Sequence, residues 1–117
     1  MQYMIMFYET PEDFGRRQTD SQVYWGSWAS YIRALQDAGI VRGGGGLQPP
    51  DLATTVRMRD GVRQVQDGPF PETKEQLGGF FVVDVPTLDD ALQWAARAPC
   101  ASTGGVEVRP ELPPMQG

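Results

Sequence analysis

Proton transfer near neutral pH most often uses histidine, and this sequence contains none. The work would fall instead to a carboxylate raised in pKa, a lysine lowered in pKa, or a tyrosine. The densest set of such groups is Asp67, Glu72, Lys74 and Glu75, all within one short stretch of chain. Asp67 is the candidate general base, with Lys74 or Tyr8 as the donor that polarises a substrate carbonyl. Arg57 is the candidate anchor for an anionic group, and Phe70, Trp28, Gln48 and Glu75 are the candidate substrate-binding residues. Each also has a plainer reading. Asp67 precedes Gly68-Pro69, and aspartate readily bonds backbone amides at turns. Lys74 and Glu75 can form a rim salt bridge worth ~0–1 kcal/mol. Aromatics at helical spacing, such as Trp28, commonly serve as core or interface. Arg109 shares a strand face with Glu107, so an internal ion pair is expected there.

Other chemistries are excluded by residue type. One cysteine and no imidazole cannot build a zinc site of nitrogen and sulfur ligands, a serine-histidine triad or a cysteine-histidine pair. No metal or cofactor is therefore expected. Cys100 follows Pro99 with no base or cation beside it, which reads as a buried thiol rather than a nucleophile. The run Gly43 to Gly46 lacks the lysine and hydroxyl residue of a phosphate-binding loop, since Leu47 and Gln48 follow it. A tight bulge is expected instead.

These groups need a scaffold. Alternation over Tyr3 to Glu9 predicts a strand with Tyr3, Ile5 and Phe7 on one face and Met4, Met6 and Tyr8 on the other. Residues 10–19 read as a polar, mobile entry loop, and Asp20 to Ala38 as a helix carrying Tyr24, Trp28, Ile32 and Leu35 on one stripe and ending at Gly39. A short distorted strand follows at the glycine run. Asp60-Gly61 predicts a two-residue hairpin that pairs Arg59 with Val62, Val56 with Val65 and Thr54 with Asp67. Asp67 then shares a face with Val56 and Val65, opposite Arg57.

Gly79 to Val85 reads as a strand buried on both faces. Thr87-Leu88-Asp89-Asp90 opens a second helix with Leu88, Ala91, Leu92 and Ala95 inward and Pro99 as its stop. Val106 to Arg109 forms a last strand, and the proline-rich tail at about 110–117 is expected to be extended. The order predicts an α+β fold, a ferredoxin-like split βαβ domain with an inserted β-hairpin. Strands apolar on both faces need a cover that is not water, and a second copy is the simplest one.

At 117 residues the chain is expected to form one domain. Ten basic residues against 15 acidic ones leave a net charge of −5, which disfavours direct binding to nucleic acid or anionic lipid. Nothing in the sequence approaches the ~20 apolar residues of a membrane span, and the start MQYMIMFYE lacks a basic leader region, so a cytoplasmic location is expected.

The segments YMIMFYE, GLQPP, TTVRMRDG, DGPFPETKEQLGGFFVVDV and GVEVRP occur in an order and spacing that resemble the DGPF branch of the YCII-related family, a bacterial group, over nearly the whole chain. The resemblance implies a homodimeric α/β barrel built from two ferredoxin-like sheets. It also implies either a small biosynthetic lyase, dehydratase or cyclase acting without cofactor on a small-molecule ligand, or a binding or regulatory module linked to a sigma factor. The histidine and aspartate pair proposed for some relatives has no histidine here, and Gly45 stands where DGPF relatives often carry a glutamate.

Overall fold

A computed structural model of the chain describes residues 1–114, so the last part of the expected extended tail, 115–117, lies outside the described residues. Among the described residues, six strands and three α-helices run in the order β1 (Gln2–Glu9), α1 (Pro11–Thr19), α2 (Ser21–Asp37), β2 (Val41–Gly46), β3 (Thr54–Arg59), β4 (Val62–Asp67), β5 (Gln76–Asp84), α3 (Leu88–Ala96) and β6 (Gly105–Pro110). Four strands form one antiparallel sheet in the order β2-β5-β1-β6, the order of a split βαβ domain, and β3-β4 form a separate two-stranded arm.

The core lies between the sheet and its helices. Tyr3, Ile5 and Phe7 of β1 and Val83 of β5 meet Tyr24, Trp28, Tyr31 and Leu35 of α2 and Ala91 and Ala95 of α3. Phe7 is its centre, making edge-on contacts with Trp28, Tyr31 and Phe81 at ring separations of 5.0, 5.8 and 5.9 Å. Such geometry adds ~0.5–1.5 kcal/mol per pair to the area buried. The opposite sheet face carries the half-buried Met4, Met6, Phe80 and Val82, and among the described residues none of these belongs to the helix-packed core.

Two expectations are corrected. The expected entry loop at 10–19 is instead a capped helix over Pro11–Thr19. Thr10 accepts from the Asp13 amide while Asp13 accepts from the Thr10 amide, a reciprocal cap, and Pro11 begins the first turn. The sparse apolar content of this segment hid the cap. Leu88 and Leu92 point outward, 47% and 46% exposed, because α3 approaches the sheet through Ala91 and Ala95, whose small side chains permit close packing. The α2 stripe likewise includes the buried Tyr31, with Ile32 only partly covered.

The hairpin has the register expected, with Asp60 and Gly61 at φ of 50° and 75°. The strand β2 is irregular between Val41 and Gly43. Its Gly44 has a φ of 125°, and a Cβ there would lie 2.2 Å from the Phe80 carbonyl oxygen. Neither constraint applies at Gly43, where a Cβ would meet nothing within 4 Å. Gly44→Ala is therefore expected to destabilise the fold by ~1–3 kcal/mol, and Gly43→Ala by well under half of that. Urea midpoints of the two variants, measured side by side, check the difference.

Candidate functional site

The alternation that buries Tyr3, Ile5 and Phe7 continues one step further to Glu9, a carboxylate only 2% exposed at the end of β1. An anion there needs partners, and two come from the helices that follow. Arg17 of α1 donates from Nη2 to Glu9 Oε2 at 3.0 Å. The Tyr24 hydroxyl of α2 donates to Glu9 Oε1 in a short hydrogen bond. Arg17 also donates from Nε to the Tyr24 oxygen at 3.0 Å and from Nη1 to the Leu47 carbonyl at 2.7 Å, closing the set.

The third wall is bare backbone. Between the pairs Phe7 with Gly79 and Tyr8 with Leu77, the ladder skips Gly78, which forms a bulge in β5. A Cβ on Gly78 would lie 2.0 Å from Glu9 Oε2, so a glycine there leaves room for the carboxylate. The bulged carbonyl accepts from the Leu47 amide at 2.9 Å, tying the end of β2 to the same point. Arg17 is further held by aromatic rings, with its guanidinium 4.9 Å from Phe14, 5.6 Å from Tyr24 and 5.2 Å from Trp25.

This cluster forms the inner end of a cleft of about 740 Å³ between α1, α2 and the β2 edge of the sheet. Phe7, Phe14, Trp28 and Phe81 give it flat apolar walls, and Gln18, Gln48 and Asp51 are its polar points. That combination of a mostly apolar hollow with a few convergent polar groups is the usual form of a small-molecule site. Gly45 lines it too, and a Cβ there would meet nothing within 4 Å, so the bare backbone at this position leaves open space. Behind Glu9 a second, smaller hollow of about 280 Å³ is bordered by Asp13, Arg16, Ser27 and Arg97.

The residues singled out from the sequence fall in the cleft, in two separate hollows and on or beside the arm. Trp28 and Gln48 line the cleft. Tyr8, Lys74 and Glu75 border a shallow hollow beside Glu107, and Tyr8, Gln48 and Glu75 border another against Pro49 and Pro71. Arg57 and Phe70 stack on each other at 4.3 Å on the arm. Asp67 ends the arm, exposed and among the residues that line neither hollow nor cleft. The single chain thus does not bring Asp67, Lys74 and Tyr8 around one point. Arg109 does pair with Glu107 across their shared face. Glu9, Arg17 and Tyr24 were not among the candidates. Their signal was a carboxylate in phase with three apolar inward residues.

The YCII-related domain family matches residues 1–113. The chain belongs to that family. It is 50% identical over 66 residues to an uncharacterized protein of Rhizobium meliloti (strain 1021), a match covering 55% of this chain and 53% of that one. It is 33% identical over 87 residues to zinc finger C3HC-type protein 1 of Mus musculus, covering 69% of this chain but 17% of that one. The chain therefore spans about half of the first relative and a small part of the second. Among solved structures it is similar to the 5-chloro-2-hydroxyhydroquinone dehydrochlorinase of Burkholderia phenoliruptrix AC1100, determined in complex with 2,5-dihydroxybenzoquinone, with a TM-score of 0.56, 14% identity and coverage of 96% and 94% of the two chains. At that identity the likeness is one of fold. Among the described residues no helix is long and apolar enough to cross a membrane, and no cluster of three or more acidic or cysteine ligands is placed to hold a metal.

Burial also sets the titration of the cluster's neighbours. The Cys100 thiol is pushed up from 9.0 to about 12, first by desolvation and then by the Glu9 charge. The phenols of Tyr24 and Tyr31 are raised as well, chiefly by burial. Each folded group keeps a proton that the unfolded chain releases first, so the Cys100 contribution is complete below about pH 9 and is lost as pH rises toward 12, and the tyrosine contributions persist to higher pH. The urea midpoint is expected to fall between about pH 9 and 11, while Cys100 of the folded chain stays unreactive to a thiol reagent over that range. A midpoint that stays level over that range would contradict the burial of these groups.

Proposed function

We propose that the chain is a small enzyme of lyase type that acts without a cofactor on a planar, hydroxyl- or carbonyl-bearing organic molecule bound in the cleft beside Glu9. The observation that carries this reading is a buried carboxylate, hydrogen-bonded to a phenol and a guanidinium, at the inner end of an aromatic-walled cleft. Glu9 is the group that accepts a proton from the substrate, and Tyr24, kept protonated by burial and donating to Glu9 Oε1, turns its proton to a departing or enolising oxygen once Glu9 has been protonated and can return one to it. Arg17 neutralises Glu9 and fixes its orientation, so the inner end of the cleft has little net charge, and with Asp51 also lining it the cleft favours a neutral or weakly acidic ring over a strong anion. The dehydrochlorinase of similar fold, with its dihydroxybenzoquinone, supports a hydroxylated ring as the first substrate class to try.

A dimeric barrel and the DGPF branch belong to the same proposal. The uncovered face of Met4, Met6, Phe80 and Val82 supports a second sheet packing on it, in an interior that would also receive Tyr8. Asp67 and Lys74 act as acid-base groups only if such an assembly brings them together. A second reading is a metabolite-binding or regulatory module, favoured by one observation: both Glu9 oxygens already have partners within the chain.

The test incubates the full chain with chlorinated and unchlorinated hydroxyhydroquinones and follows quinone absorbance and chloride release. Turnover that falls ~100-fold or more in Glu9→Gln, with ligand affinity retained, supports the enzyme. Binding without turnover supports the module, and turnover untouched by Glu9→Gln sinks the role given to Glu9.

A further inference from the structure

Among the described residues, the β3-β4 arm packs on no other helix or strand of its own chain. Its strands pair with each other and make no substantial contact with any other helix or strand. The Cα radius of gyration is 16.1 Å, whereas a compact chain of this length would have about 13 Å, as expected when one element projects. A two-stranded hairpin by itself is marginal in water. This one is nevertheless well rooted, by the Gly68 amide on the Ala53 carbonyl at 2.7 Å and the Thr55 hydroxyl on the Gly68 carbonyl at 2.7 Å.

Its two faces differ. Arg57 and the stacked Phe70 occupy one. The other presents Val56, Met58 and Val65, each more than half exposed, with Arg63 among them. This is an apolar strip with a cation, Arg63, opposite Met58 toward the turn and an anion, Asp67, at its root. The cleft mouth is its complement: Trp25, Leu47 and Leu52 are 47%, 40% and 66% exposed there, and Asp51 stands among them as an anion. The arm carries three arginines against two aspartates, whereas the whole chain has a net charge of −5.

We propose that the arm of one copy lies across the cleft mouth of a second copy, so that each cleft is closed by its partner's arm. One chain holds both the strip and its complement, and a two-fold pair satisfies both at once. Each arm strand has six residues, a length of ~20 Å at ~3.3 Å per residue, enough to cross a four-stranded sheet about 15 Å wide. The occupant is a second copy rather than an unrelated protein because apolar and charged features match within the same chain. The exchange is independent of the catalytic reading and separable from the pairing of sheet faces.

The experiment uses the full chain in a Cys100→Ala background, with Met58→Cys in one preparation and Leu52→Cys in another. Mixed and treated with a short thiol cross-linker, the two are expected to form a covalent heterodimer, since the new thiols sit on arm and mouth. In parallel, Val56→Glu with Val65→Glu is expected to loosen self-association by about 30-fold, as removal of a buried hot spot does. Both positions are exposed, so circular dichroism should stay native, while acrylamide quenching of tryptophan fluorescence rises as Trp25 is uncovered. No cross-link, with quenching unchanged in the double variant, overturns the proposal. A dimer that survives the double variant and dissociates on Met6→Glu also overturns it, and leaves the paired sheets standing.

Discussion

The buried carboxylate of Glu9 is the constraint around which the cleft side of this fold is arranged. Placed inward by the strand alternation, it would cost several kcal/mol if left alone. The helix α1 supplies Arg17, the helix α2 supplies Tyr24, and the bulge at Gly78 gives the room. The end of β2 is tied to the same bulge through Leu47. Four elements therefore meet at one charge, and the cleft is the space they leave.

This arrangement gives physical content to the DGPFPETKEQLGG segment. Its closing glycines are Gly78, against which the carboxylate rests, and Gly79, where a Cβ would lie 3.0 Å from the Gly45 carbonyl oxygen. The acidic and basic residues before them, Lys74 and Glu75, lie on the surface. The part of the motif richest in reactive side chains is thus exposed and outside the buried cluster, and the part with none shapes it.

That contrast explains what could be read from the sequence. The sheet order and the hairpin register followed from period-two alternation and from Asp60-Gly61, both local signals. The cap at Thr10 and Asp13 was equally local but was masked by a segment whose sole large apolar residue is Phe14. The site depended on non-local information. Arg17 and Glu9 are eight residues apart, and the Gly78 carbonyl that Arg17 approaches is 61 residues away from it. A search for reactive side chains close in sequence finds Asp67 to Glu75 and passes over them. Asking which charged residue falls in phase with buried ones would have found Glu9.

The central claim is that Glu9 and Arg17 act as one unit that holds the cleft together. A double-mutant cycle of Glu9→Gln and Arg17→Met, measured by urea unfolding, tests it most directly. A coupling energy of about 1.5 kcal/mol or more is predicted, with the double variant less damaged than the sum of the singles. Additivity within ~0.5 kcal/mol would contradict it, since the two side chains would then be neighbours without being partners.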